Sequence, residues 1–150
     1  MNYTLLENKK KIKIKINKNL KILISTSGTT GNPKYVKLTK QNIDCNTLSI
    51  LKFLKINKKD TTITTLPMNY VYGLSIINTH LLAGAKIVLN EYSVIDKKFW
   101  SSLIYNKITN INGVPYLYEI LDKINFLEKD LSSIRFFTQA GGKIDKKRNQ

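Results

Sequence analysis

From Ser25 to Lys34 the chain reads Ser25-Thr26-Ser27-Gly28-Thr29-Thr30-Gly31-Asn32-Pro33-Lys34, directly after the apolar run Ile22-Leu23-Ile24. The run reads as a buried strand. The stretch that follows is dense in hydroxyls and interrupted by glycine. Glycine lets the backbone turn tightly and brings main-chain N–H groups close to an anion. Ser and Thr hydroxyls add donors, and Lys34 adds a point charge at the end of the loop. The chemistry of such a loop is the binding of a polyphosphate. It is not a Walker A loop, which needs Gly, Lys and Ser/Thr in direct succession. Here Asn32 and Pro33 separate Gly31 from Lys34, and Tyr35 follows.

Two further stretches could do chemistry. Leu66-Pro67-Met68-Asn69-Tyr70-Val71-Tyr72-Gly73-Leu74 places aromatic side chains on a turn. Tyrosine can stack and hydrogen-bond at once. Arg135-Phe136-Phe137-Thr138-Gln139-Ala140-Gly141-Gly142-Lys143 reads as a strand running into a Gly-Gly turn. Taken alone, the first reads equally as a strand-to-helix turn with core aromatics, and the second as no more than a strand end.

The elements that must position these stretches alternate. Lys11-Ile12-Lys13-Ile14-Lys15-Ile16 has strict period-two alternation and predicts an edge or antiparallel β segment over 11–17. Asn17-Lys18-Asn19 is a turn, and a strand from Leu20 delivers the loop. Thr39, with Asn42 three residues on, predicts a helix start. The apolar positions Ile43, Leu48, Leu51 and Leu54 carry that helix to Lys55. Strands are expected at 62–66, 86–89 and 109–114. Helices are expected at 73–83, closed by Gly84, from Asp96 through Ile104, and from Pro115 to about Asn125. The series βαβαβαβαβ predicts an α/β fold with a mostly parallel sheet and covering helices. Ligands in such sheets gather beyond the carboxyl ends of the strands. Asp145 to Gln150 reads as a charged tail.

Composition excludes several classes. The chain has 150 residues, 42% hydrophobic, enough for one domain with a core. Its net charge is +15, yet Arg135 and Arg148 are the only arginines. Arginine is the residue that reads phosphate and base edges bidentately. With Lys, Ile and Asn abundant throughout, a nucleic-acid role is disfavoured. Cys45 is the sole cysteine, so it makes no internal disulfide, and it is expected to be a small buried residue. His80, in an apolar helix, is expected to be a packed histidine making one hydrogen bond. No run approaches a membrane span and no signal core opens the chain, so the cytoplasm is the expected compartment.

Thr26-Ser27-Gly28-Thr29-Thr30-Gly31-Asn32-Pro33-Lys34 resembles the phosphate-binding signature T-S-G-T-T-G-x-P-K of the adenylate-forming (AMP-binding) superfamily, which includes acyl-CoA synthetases and peptide-synthetase adenylation domains. Tyr35 stands where the family usually continues with Gly. Leu66 to Gly73 resembles its L-P-L-F-H-x-x-G motif, with Tyr70 at the usual His. Gly113-Val114-Pro115 resembles its G-V-P, and Ser132 to Gly142 its L-S-S-L-R strand and Gly-Gly turn.

The resemblance implies part of the large N-terminal domain of an ATP-dependent carboxylic acid-activating ligase over residues 1–150, with the C-terminal catalytic subdomain absent. In that reading Thr26, Ser27, Gly28, Thr29, Thr30, Gly31 and Lys34 cradle the β- and γ-phosphates of ATP. Gly141, Gly142 and Lys143 border adenine, and Tyr70 borders the acyl adenylate. The implied substrates are ATP and a carboxylic acid, with Mg2+ held by a ligand outside this chain. The implied acceptor is CoA or phosphopantetheine. No catalytic residue and no metal ligand is assigned here. The chain is expected to be inactive alone, with the remainder of the enzyme as a separate chain among its partners. The competing readings are a non-catalytic nucleotide-binding module and, behind it, a basic nucleic-acid binder.

Overall fold

Helix starts are written locally in this chain. Thr39 accepts a hydrogen bond from the Asn42 N–H, and the Asn42 side chain accepts one from the Thr39 N–H, a reciprocal capping box. It opens α1 (Lys40–Leu54), which ends on Lys55 in the left-handed conformation. Asp96 caps α3 (Lys97–Tyr105) through the Lys98 N–H. Pro115 opens α4 (Pro115–Lys123), where a missing N–H leaves no intrahelical bond unmade. Gly84, at φ +65°, follows the last turn of α2 (Val71–Leu82), the helix-closing role expected of it.

The computed structural model describes residues 15–26 and 34–143. It holds two sheets. β1 (Leu20–Thr26) and β2 (Lys34–Thr39) form an antiparallel pair. The second sheet is parallel throughout, in the order β4-β3-β5-β6, with β3 (Thr61–Ile63), β4 (Lys86–Val88), β5 (Asn110–Gly113) and β6 (Phe136–Gln139). The α/β fold with a parallel sheet is as expected. The strand that delivers the hydroxyl-rich loop stands apart from the alternating series. Only residues 27–33 separate β1 from β2, and a parallel pair needs a crossover of a dozen or more residues. Lys15, Ile16 and Asn17 carry no regular structure. The expected β segment at 11–17 otherwise lies outside the described residues, as does the expected tail from Asp145.

The parallel sheet has two unlike faces. Residues paired in parallel register share a face, and neighbours along a strand alternate. Ile63 and Ile111 therefore point one way. With Phe99, Trp100 and Leu103 of α3, Leu121 of α4, and Val94 and Ile108, they form the buried core. Thr62, Asn110, Asn112 and Thr138 point the other way, toward α2. At the amino ends of the strands Asp60, only 2% exposed, ties three strands together. It receives two bonds from the Arg135 guanidinium (2.9 and 2.8 Å), one from the Thr109 hydroxyl and one from the Asn57 N–H.

Cys45 is exposed, not buried. The inward stripe of α1 is Ile43, Thr47, Ile50 and Leu54, and a residue two positions from Ile43 falls on the opposite side of the helix. Among the described residues no helix is long and apolar enough to cross a membrane.

Candidate functional site

The hydroxyl-rich stretch is bracketed by the antiparallel pair. Thr26 ends β1 directly across from Lys34, which begins β2. Ser27, Gly28, Thr29, Thr30 and Gly31 lie outside the described residues. A cavity of about 260 Å³ between this pair and the helices is bounded by Ile24, Leu38, Asn42, Val71 and Leu74. The middle of the hairpin, at Ile24 and Leu38, therefore stands beside the start of α2.

That first turn carries Tyr70, the residue capping α2, at extended backbone angles. Its position is set by Gly73. A Cβ there would fall 2.2 Å from the Pro67 carbonyl oxygen, so only glycine lets the helix close on the Leu66–Pro67 turn. The Tyr70 hydroxyl in turn lies against Gly141, where a Cβ would come 2.9 Å from it. Gly141 has φ +93°, a conformation that other residues rarely adopt. A Cβ on Gly142 would come 2.9 Å from Pro115 Cγ. Lys143 follows, exposed, at the last described position. Tyr70, Val114-Pro115 and Gly141-Gly142, scattered over more than seventy residues of sequence, thus meet at the carboxyl ends of β5 and β6.

Beside this meeting point lies a cleft of about 540 Å³ between α1, α2 and the ends of β5 and β6. Phe53, Ile50 and Ile56 line one side of it, and Tyr72, Ser75 and Ile76 another. Its floor is a hydrogen-bonded chain. His80 Nδ1–H donates to the Ile76 carbonyl (2.8 Å), which leaves Nε2 to accept from Asn110 Nδ2 (3.1 Å). Asn110 Oδ1 accepts from Asn112 Nδ2 (2.9 Å), which also donates to Thr62 (3.0 Å). Asn112 Oδ1 accepts from the Thr138 hydroxyl, which accepts from Tyr72 Oη (2.6 Å). Tyr118 Oη donates to the Thr138 carbonyl.

Burial pushes the His80 imidazolium below its ordinary range, against smaller opposing contributions from Ile76, Asp60 and Asn110. His80 is therefore packed as expected, but with two hydrogen bonds where one was expected. Burial also pushes the Tyr72 and Tyr118 phenols up, so both stay neutral donors.

Sequence reasoning placed Tyr70, Gly141 and Gly142 in the site and passed over Tyr72, Asn112 and Thr138. Asn110 and Asn112 do carry a signal. Two amides at i and i+2 in a run read as a strand must share one face, so a polar layer was available to be read there.

Comparison with known proteins gives a coherent picture. The model of a family described as AMP-binding enzyme matches residues 5–149. The medium-chain fatty-acid–CoA ligase of Escherichia coli (strain K12) is 31% identical over 130 residues, covering 85% of this chain and 23% of the relative. The oxalate–CoA ligase of Arabidopsis thaliana is 31% identical over 129 residues, covering 82% and 25%. Among solved structures, O-succinylbenzoate coenzyme A synthetase from Bacillus subtilis, in complex with AMP, aligns with a TM-score of 0.69 at 30% identity. That alignment covers 82% of this chain and 25% of the synthetase. The chain spans about a quarter of the length of the curated relatives it matches.

Proposed function

This chain belongs to the AMP-binding enzyme family, and we propose that it forms the nucleotide- and acid-contacting part of an ATP-dependent, acid-activating ligase. A carboxylate oxygen of the acid attacks the α-phosphorus of ATP, and the bond to the pyrophosphate oxygen breaks. The acyl adenylate then loses AMP when a thiol attacks its carbonyl carbon. CoA or phosphopantetheine is the thiol of this reading. Residues 26–31 and Lys34 contact the β- and γ-phosphates. Positioning and charge neutralisation are most of what phosphoryl transfer asks of a protein, and main-chain N–H groups, hydroxyls and one ammonium supply both. Gly141, Gly142 and Lys143 border adenine. Tyr70 borders the adenylate at the mouth of the cleft, and the cleft takes the body of the acid. The observation carrying this reading is the meeting of Tyr70, Val114-Pro115 and Gly141-Gly142 at the strand ends beside that cleft.

Among the described residues no three His, Cys, Asp or Glu side chains stand together to hold a metal ion. The reading gives Mg2+ a ligand outside this chain. Since the chain spans about a quarter of its relatives, the remaining reactive groups are assigned to further polypeptide, in the same chain or a separate one. Residues 1–150 alone are then inactive. The test is acid-dependent exchange of labelled pyrophosphate into ATP. No exchange is expected from residues 1–150, and exchange is expected once the rest of the enzyme is supplied. In that complete enzyme Lys34→Ala removes a charge-assisted contact of about 1.5–3 kcal/mol and slows exchange about tenfold or more. Unchanged kinetics in the variant, or robust exchange by residues 1–150, would overturn the assignment.

A further inference from the structure

We infer that the cleft between α1 and α2 selects an acid whose body carries no second charge, a hydrocarbon chain or ring and not a dicarboxylate or an amino acid. The inference rests on the reading above, in which the cleft takes the acid, and names the class of acid. Relatives acting on oxalate and on a medium-chain fatty acid match this chain at the same identity, so likeness does not choose between these classes. The side chains do.

Of the 16 described residues lining the cleft, none is Lys, Arg, Asp or Glu. That is telling in a chain with 25 basic and 10 acidic residues. Ile50, Phe53, Leu54, Ile56 and Ile76 make the walls apolar. The polar groups of the floor are turned to one another. His80 has both ring nitrogens engaged within the protein and is held neutral, so it offers no cation. Tyr72, Thr138 and Asn112 are joined in one chain of bonds. The wall hydroxyls donate back to their own helices, Ser49 to the Cys45 carbonyl, Ser75 to that of Tyr72 and Thr79 to that of Ser75. Among the described residues no buried side-chain nitrogen or oxygen lacks a partner. A second carboxylate or an ammonium reaching the floor would meet no counter-charge. It would also have to break a satisfied network to be solvated, which is the costly way to bury a charge. A methyl terminus or a ring meets no such penalty and gains from the apolar walls.

The experiment is a displacement titration on residues 1–150 with the fluorescent fatty acid cis-parinaric acid, comparing decanoate with decanedioate at neutral pH. These competitors match in length and differ by one terminal carboxylate. Decanoate is expected to displace the probe at a concentration about tenfold or more below decanedioate, since the terminal charge goes unpaired. Ser75→Lys, which sets an ammonium in the half-buried wall, is expected to erase or invert that preference. Equal displacement by both acids in the unaltered protein, or failure of the probe to bind at all, overturns the inference. Labelled ATP binding by the same preparation judges the proposed function separately. ATP bound without acid preference sinks only the acid class, whereas acid preference without ATP bound sinks only the ligase reading.

Discussion

The two faces of the parallel sheet are built from the same strands, one residue apart, and they obey different rules. On one face Ile63 and Ile111 meet Phe99, Trp100, Leu103 and Leu121, and the one polar side-chain group among them, the Trp100 indole N–H, is met by the Val94 carbonyl (2.7 Å). On the other, Thr62, Asn110, Asn112 and Thr138 meet His80 and Tyr72, and each needs the next. The apolar face is stabilised additively by area removed from water. The polar face is a network in which a missing member leaves its neighbours unsatisfied. Stability is therefore concentrated on one side of the sheet, and the cleft on the other.

The largest effect should come from the apolar face. Phe99 is fully buried, and Phe99→Ala should cost about 3–5 kcal/mol in urea unfolding. Leu103→Met, which nearly conserves volume, should cost less than about 1.5 kcal/mol. If the two variants lose the same amount, close packing is not what that face provides.

On the polar face, Asn112→Ala should cost about 2–3 kcal/mol, because Thr62, Asn110 and Thr138 each lose a partner. Unlike Phe99→Ala, it should also change cis-parinaric acid affinity in the fraction that stays folded, since Asn112 and Thr138 both line the cleft. An unchanged affinity would separate network from cleft and break the comparison.

The faces should also differ in pH response. Burial first of all depresses the folded-state pKa of His80 from its ordinary 6.5. The unfolded chain then binds the proton more readily. Stability is complete above about 6.5 and declines as pH falls below it. His80→Gln should flatten that slope in urea unfolding followed against pH.

Asp60 acts on a more acidic limb. Burial alone would raise its pKa, but the hydrogen bonds from Asn57, Arg135 and Thr109 outweigh burial and hold the carboxyl below its ordinary 3.8. Its contribution is present above about 3.8 and is lost as pH falls through the depressed folded value. Asp60→Asn should flatten only this acid limb. A common slope for both variants would mean that the two groups act as one.

The smallest effect is reserved for a site remote from both faces. Thr39→Ala removes the side chain that caps α1 and should cost about 1 kcal/mol, read as a modest drop in Tm. A loss as large as that of Phe99→Ala would mean that the cleft wall formed by α1 holds the domain together.

Local signals made much of this legible. Thr39 with Asn42, Asp96, Pro115 and Gly84 mark helix ends because caps act within a few residues. Gly73 and Gly141 were readable as glycines with a purpose. What each one makes room for, the Pro67 carbonyl and the Tyr70 hydroxyl, was not readable. Cys45 was misjudged because a small apolar residue in a helix says little about which side it faces until the helix has packed.

By itself the sequence determined the alternation of helices and strands from α1 onward, the starts of α1, α3 and α4, and the hydroxyl-rich stretch with its closing Lys34, all of which rest on interactions within a few residues. Tertiary structure alone decided that β1 pairs antiparallel with β2 outside the parallel sheet. It alone carried Tyr70 to Gly141 and joined His80 to Tyr72 through Asn110, Asn112 and Thr138. Apart from the hairpin and the Asn112–Asn110 bond, those contacts bridge tens of residues of chain. Each exists only once the loops between its partners have closed and the sheet register has set which side chains share a face.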